Sequence, residues 1–194
     1  MSYQVLFGME HLFKLDTAVS VCFDTETCQL QPEVGKLRLL QLGCKTRKII
    51  VVIDFFQTDE SDWDRLRRFF SNGERYWLAH NAVFDIAWLQ EYGIHPNPRN
   101  LGCSMLASRL LSNGKPNKKH GLADVVDRYL GIELDKEQQK SNWAGTLTQE
   151  QKTYAAKDVE VLCELDLILN DQLCQYNLNY AYELECRALP AMAQ

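Results

Sequence analysis

Residues 19–30 read VSVCFDTETCQL, an apolar run that ends in two acids placed two positions apart. Val19, Val21 and Phe23 alternate as the buried side of a strand does. Side chains two apart in a strand share a face, so Asp24 and Glu26 point the same way. Two carboxylates that close repel, and one stays protonated unless a cation sits between them. The strand therefore either ends at an exposed edge, where D-x-E is a common and idle pair, or forms one wall of a cation site.

The chain around this strand is ordinary for a globular protein. Its 194 residues suit one compact domain, 1–194, with a full hydrophobic core. Apolar residues make up 46% and charged residues 24%. No apolar run approaches the ~18 residues of a membrane helix. The opening MSYQVLFGMEHLF lacks a basic region followed by a long apolar segment, so no signal peptide is expected. The seven cysteines form no CxxC pair and no zinc-finger spacing. They read as reduced core thiols of an intracellular protein. A net charge of −5 argues against a large electrostatic footprint for nucleic acid. It leaves room for an enzyme that grips a short stretch of strand through metal ions.

Three strand-like pieces, 20–26, 37–43 and 48–54, are separated by short turns and suggest an antiparallel meander. A helix over 61–70 follows, with Ser61 as its N-cap. A short strand in RYWLAHN then runs into the helix AVFDIAWLQEY, stopped by Gly93 and Pro96. The remainder reads as helical: CSMLASRLL, LADVVDRYLG, a long helix from Thr148 to about 176, and a last piece in LNYAYELECRALPAM. Gln151, three after Thr148, completes a capping-box pattern. Strands first, then strands mixed with helices, imply an α/β layered domain with a mixed sheet.

Two further acids stand out of order. In HNAVFDIAWL, Asn81 and Asp85 are four apart, and Asp85 is crowded by Ile86, Trp88 and Leu89. A charge there needs a partner or a metal, although a helix dipole also favours an acid at a helix start. In the stripe Tyr154, Asp158, Leu162, Leu165, Leu169, Leu173, every position but Asp158 is apolar or aromatic. A hydrogen bond from Tyr154 one turn earlier is the structural alternative. Each motif alone is ambiguous. Together they offer four carboxylates and a tyrosine from three elements, and such hard oxygen ligands suit Mg²⁺ or Mn²⁺. Two such ions about 4 Å apart form a clamp for in-line phosphodiester cleavage.

The segments FDTET, HNAVFD and YAAKD, in this order, resemble the three exonuclease motifs of the DEDD superfamily. Tyr154 placed four before Asp158 marks the DEDDy branch, which includes ribonuclease D and the proofreading exonuclease domain of family A DNA polymerases. LRLLQLG, HGLADVVDRYLG and LDKEQQKSNWAGTLTQEQKTYAAKDV agree with it, so the resemblance covers roughly residues 15–190. It implies a ribonuclease H-like α/β fold, with a mixed five-stranded sheet and helices on both faces. It implies two divalent metal ions, Mg²⁺ or Mn²⁺. Asp24, Glu26 and Asp158 would hold one ion, Asp24 would bridge to the second, and Asp85 would hold the second. Tyr154 would orient the attacking water. Asn81 would sit by the terminal nucleotide, Leu30 would wedge against the last bases, and the Thr25 backbone would bind the terminal 3′-hydroxyl.

The end of the chain, 177–194, resembles the linker that leads from this domain into a polymerase domain, as a helix aimed outwards. The leading expectation is a 3′-5′ exonuclease that proofreads single-stranded or frayed DNA 3′ ends, with a DNA polymerase as partner in cis or in trans. Its place would be the cytoplasm or the replication machinery. A ribonuclease D-like RNA trimmer is the nearest rival. A non-catalytic docking domain is the rival from another class, and the intact set of four acids argues against it. Neither GxGxxG nor a P-loop pattern is present. Lys115, Lys118, Lys119 and His120 precede a helix N-terminus and could hold a phosphate of the strand, though a solvated loop explains them equally. Lys136 and Lys140 are minor candidates of the same kind. Among the tryptophans that could stack bases, core packing is expected for Trp77 and Trp88.

Overall fold

The computed structural model describes residues 3–113, 115, 118–135 and 141–193. Lys136 and Lys140 lie outside them. The strands are β1 (Gln4–Phe7), β2 (Ser20–Thr27), β3 (Leu37–Cys44), β4 (Ile49–Asp54), β5 (Tyr76–Ala79) and β6 (Leu101–Cys103). The α-helices are α1 (Glu60–Phe70), α2 (Ala82–Gln90), α3 (Ser104–Leu111), α4 (Leu122–Leu130), α5 (Gln149–Gln175) and α6 (Asn179–Met192). The strands form one sheet in the order β1-β4-β3-β2-β5-β6. β2, β3 and β4 make the expected antiparallel meander. β1, β5 and β6 join it in parallel.

Alternation divides the sheet into two buried faces. Val21, Phe23, Leu40 and Leu42 pack in one cluster with Phe70, Ile86 and Leu89, which places α1 and α2 on that side. Cys22, Leu39, Ile50 and Val52 pack in a second cluster with Ala155, Val159 and Leu162 of α5. Helices thus cover both faces, and the strand end that carries Asp24 lies between α2 and α5.

The sheet has six strands, not five. β1 is four residues long and mostly exposed, so it carries no buried alternation to read. β6 has only three residues, too few for a period to appear. Val19 falls one residue before β2 and is exposed, so the buried side of the strand starts at Val21. The cap of α1 is Asp59, whose side chain accepts from the Ser61 and Asp62 amides, and Ser61 lies inside the first turn. α6 turns back onto the body instead of projecting. Tyr182, Cys186 and Leu189 are buried, and the Tyr182 hydroxyl accepts from the Cys103 amide at 2.8 Å.

One close approach sets the distance between sheet and helix on the α5 side. A Cβ on Gly43 would overlap Val159 Cγ1 and lie 2.9 Å from Cys163 Sγ. Only glycine lets α5 settle this close to β3. Gly43→Ala is therefore expected to cost about 1–3 kcal/mol in urea unfolding. It should also weaken divalent-metal binding in a calorimetric titration, because it lifts Asp158 away from β2.

Candidate active site

Asp24 and Glu26 share the parity of Cys22 and so sit on the α5 side of β2. α5 is fixed at its start by a capping box. The Gln151 amide donates to Thr148 Oγ1 at 3.2 Å, and the Thr148 amide donates to Gln151 Oε1 at 3.0 Å. The helix then buries Leu162, Leu165, Leu169 and Leu173 along one stripe. Asp158 continues that stripe to the end of β2. There the ligand atoms of Asp24, Glu26 and Asp158 come within 4.8 Å of one another. Thr25 has the opposite parity and turns towards α2, where its hydroxyl donates to Asp85 Oδ1 at 2.7 Å. Asp85 is 2% exposed, in the first turn of α2. The four acids meet at one cleft of about 650 Å³.

Burial pushes every one of these carboxyls up, and repulsion from the neighbouring acids adds to it for Asp24 and Glu26. Asp24 rises well above the usual range through burial and then through Asp85, Glu26 and Asp158 beside it. Glu26 rises through burial, Asp158 and Asp85. Burial raises Asp85 to about 7, against the lowering effect of the Thr25 hydrogen bond. Burial raises Asp158 to about 6, against a hydrogen bond from Tyr154. The Tyr154 phenol is raised by burial and by Asp158, so it keeps its proton and acts as a donor. None of the described residues lining the cleft is Lys or Arg. His80 lines it too, but burial lowers its pKa to about 4 and leaves it neutral. Clustered hard oxygens without a compensating basic side chain fit a divalent cation.

Residues 7–174 match the model of a family described as 3′-5′ exonuclease. The chain belongs to this exonuclease family. DNA polymerase I of Aquifex aeolicus is 33% identical over 95% of this chain and 30% of its own length. Ribonuclease D of Escherichia coli is 28% identical over 82% of this chain and 42% of its own length. The chain thus spans less than half of these curated relatives. Brucella melitensis NrnC superposes with a TM-score of 0.84 at 26% identity, covering 100% of this chain and 92% of its own. NrnC structures also exist with bound Mg²⁺ and bound to pGG. Ribonuclease H-like exonucleases are therefore the fold neighbours of the α/β sheet described above.

The sequence-derived residues fall into two groups in this exonuclease fold. Asp24, Thr25, Glu26, Leu30, Asn81, Asp85, Tyr154 and Asp158 all line the cleft. Leu30 is 82% exposed at its mouth. Asn81 is not on the helix with Asp85 but just before it, in the left-handed region at φ 55°. Lys118, Lys119 and His120 are not among the lining residues, which include the adjacent Gly121 and Leu122. His120 Nδ1 instead lies 2.9 Å from Ser108 Oγ, and the Lys119 carbonyl accepts from Arg128 at 2.7 Å. Trp77 and Trp88 are in the core as expected, whereas buried Trp143 reaches the cleft. Sequence reasoning passed over His80, Phe84 and Met105. His80 had one available signal, since it precedes Asn81 in the same motif.

The raised pKa values fix the sign of a pH effect without metal. A carboxyl whose folded pKa lies above its unfolded value of about 4 contributes stability below that pH. This stability is lost as pH rises through about 6 for Asp158 and about 7 for Asp85. In chelator, thermal unfolding should show a loss on the order of 2–4 kcal/mol between pH 5 and pH 8. Saturating Mg²⁺ or Mn²⁺ should remove most of that loss. Asp158→Asn should melt higher than the parent at pH 8 in chelator.

Proposed function

We propose that the chain is a metal-dependent 3′-5′ exonuclease that releases nucleoside 5′-monophosphates from single-stranded or frayed DNA 3′ ends, of the proofreading type. The observation that carries this reading is the meeting of Asp24, Glu26 and Asp158 within 4.8 Å, beside Asp85, in a cleft with no Lys or Arg among its described lining residues. Asp24, Glu26 and Asp158 would hold one divalent ion, and Asp24 and Asp85 a second. Bound there, such ions would activate water and neutralise charge on the departing oxygen.

The remaining roles belong to this chain's own side chains. Tyr154, which stays protonated beside Asp158, orients the attacking water through its hydroxyl. The Thr25 hydroxyl is committed to Asp85, which leaves the Thr25 backbone to meet the terminal 3′-hydroxyl. Leu30 at the mouth wedges against the last bases, and Asn81 borders the terminal nucleotide. Lys118, Lys119 and His120, which precede the lining Gly121 in the chain, would meet a strand phosphate. The tie to a DNA polymerase in cis or in trans, the likeness of 177–194 to a polymerase linker, and a place with the replication machinery belong to the same reading. No described helix is long and apolar enough to cross a membrane.

RNA is the second reading. It draws on the ribonuclease D relative and on the NrnC structure bound to pGG. The deciding experiment uses matched 5′-end-labelled single-stranded DNA and RNA with Mg²⁺, with Mn²⁺ and with chelator. A metal-dependent ladder that shortens from the 3′ end of DNA is expected, with at least a 10³-fold loss in Asp24→Ala, on the scale of losing an essential electrostatic group. A ladder on RNA alone would keep the chemistry and move the substrate to the ribonuclease side. Binding of both strands without cleavage of either would contradict the enzymatic reading.

A further inference from the structure

The Trp143–Gly145 segment brings Trp143 into the cleft, yet it is a turn without helix or strand of its own. Its position depends on the side chains that hold its backbone and that of its neighbours. From α5, buried Gln151 donates through Nε2 to Ser141 Oγ at 2.9 Å and to the Asn142 carbonyl at 3.2 Å. From the sheet, the hold is Arg38. Glu26 pairs with Leu39 and Thr27 with Leu37, so Arg38 is the extra residue of a bulge opposite the Glu26–Thr27 step. A bulge bends its strand and re-aims a side chain.

Arg38 is 7% exposed and reaches across the end of the sheet. Its Nη1 donates to the carbonyls of Trp143 at 3.2 Å and Gly145 at 2.8 Å. On the other side, Nε lies 3.0 Å from Asp54 Oδ1, and Nη2 donates to Asp54 Oδ2 at 3.1 Å. The guanidinium also stands over the Phe56 ring at 4.4 Å. The carboxylate of Asp54 fixes the planar fork, which leaves Nη1 for the two carbonyls. The Trp143 ring held in this way stands 6.4 Å from the ring of Tyr154, centroid to centroid. Arg38 itself is not among the cleft's lining residues.

We infer that Arg38, aimed by the β3 bulge and braced by Asp54, is a positioning residue for hydrolysis: it sets the Trp143–Gly145 turn and, through Trp143, the orientation of the Tyr154 hydroxyl. This rests on the water-orienting role given to Tyr154 above. An effect routed through Tyr154 must vanish once that hydroxyl is gone. A general structural effect would persist.

The test is a double-mutant cycle on kcat and KM with Arg38→Met, Tyr154→Phe and the pair, together with Mn²⁺ titration calorimetry. Arg38→Met should lower kcat about 10–100-fold with KM changed less than about threefold. In the Tyr154→Phe background it should lower kcat by less than about threefold more. Its Mn²⁺ affinity should match that of the parent, and amide exchange should speed up at residues 143–147. If Arg38→Met does not fold, Arg38→Lys, which keeps the charge but cannot reach both carbonyls and Asp54, takes its place in the same cycle. Equal losses in both backgrounds, Mn²⁺ affinity falling in step with rate, or an unchanged kcat would overturn the inference. A normal Tyr154→Phe defect beside equal losses would overturn Arg38's role alone. Full activity of Tyr154→Phe would overturn the role of Tyr154 first, and that of Arg38 with it.

Discussion

Four carboxyl groups crowd into one cleft where burial already disfavours their charge, and the surrounding architecture serves to hold them there. The sheet supplies Asp24 and Glu26, α5 supplies Asp158, and α2 supplies Asp85. Each comes from an element anchored in one or both of the two hydrophobic clusters. The glycine at position 43 lets α5 approach the sheet, and the Thr148 capping box sets where the helix begins. Packing free energy from two hydrophobic clusters therefore offsets electrostatic repulsion at one point. That point is where a divalent cation would do the most good.

Neutral and polar groups complete the site without relieving the charge. Thr25 lies between the two acids of β2 but faces the other way, and its hydroxyl goes to Asp85. One strand thereby contacts acids on both flanking helices. Tyr154 keeps its proton beside Asp158, and His80 stays neutral. The cleft is left with donors that can orient a substrate or a water, and with acids that need a cation.

Most of this site was legible in the sequence because the exceptions were local. An acid in an apolar stripe, as at Asp158, is visible in a single helical period. Two acids of equal parity at a strand end are visible in a strand period. The capping box at Thr148 followed from cap chemistry. The features that were not legible depend on tertiary structure. β1 and β6 are too short to show a period, and they exist because longer strands give them an edge to pair with. Ser61 and Asp59 are both good caps, and only the path of the chain chooses between them. The place of Lys118, Lys119 and His120 outside the cleft lining depends on how α3 and α4 pack, with His120 drawn to Ser108 of α3. The bulge that re-aims Arg38 has no signature in LRLLQLG, since it arises from register against β2.

The most direct test of the account is the proton count on metal binding. With folded pKa values of about 6 for Asp158 and about 7 for Asp85, and with Asp24 and Glu26 pushed higher than usual, the metal-free cleft holds protons near pH 6. Titration of Mn²⁺ at pH 6, in two buffers of different ionisation enthalpy, reads the protons displaced. The account requires saturable binding that releases about one proton or more per chain, and weaker binding with less release in Asp158→Asn. Saturable binding with no proton release, or binding unchanged in Asp158→Asn, would contradict the claim that these four acids are held together for a cation.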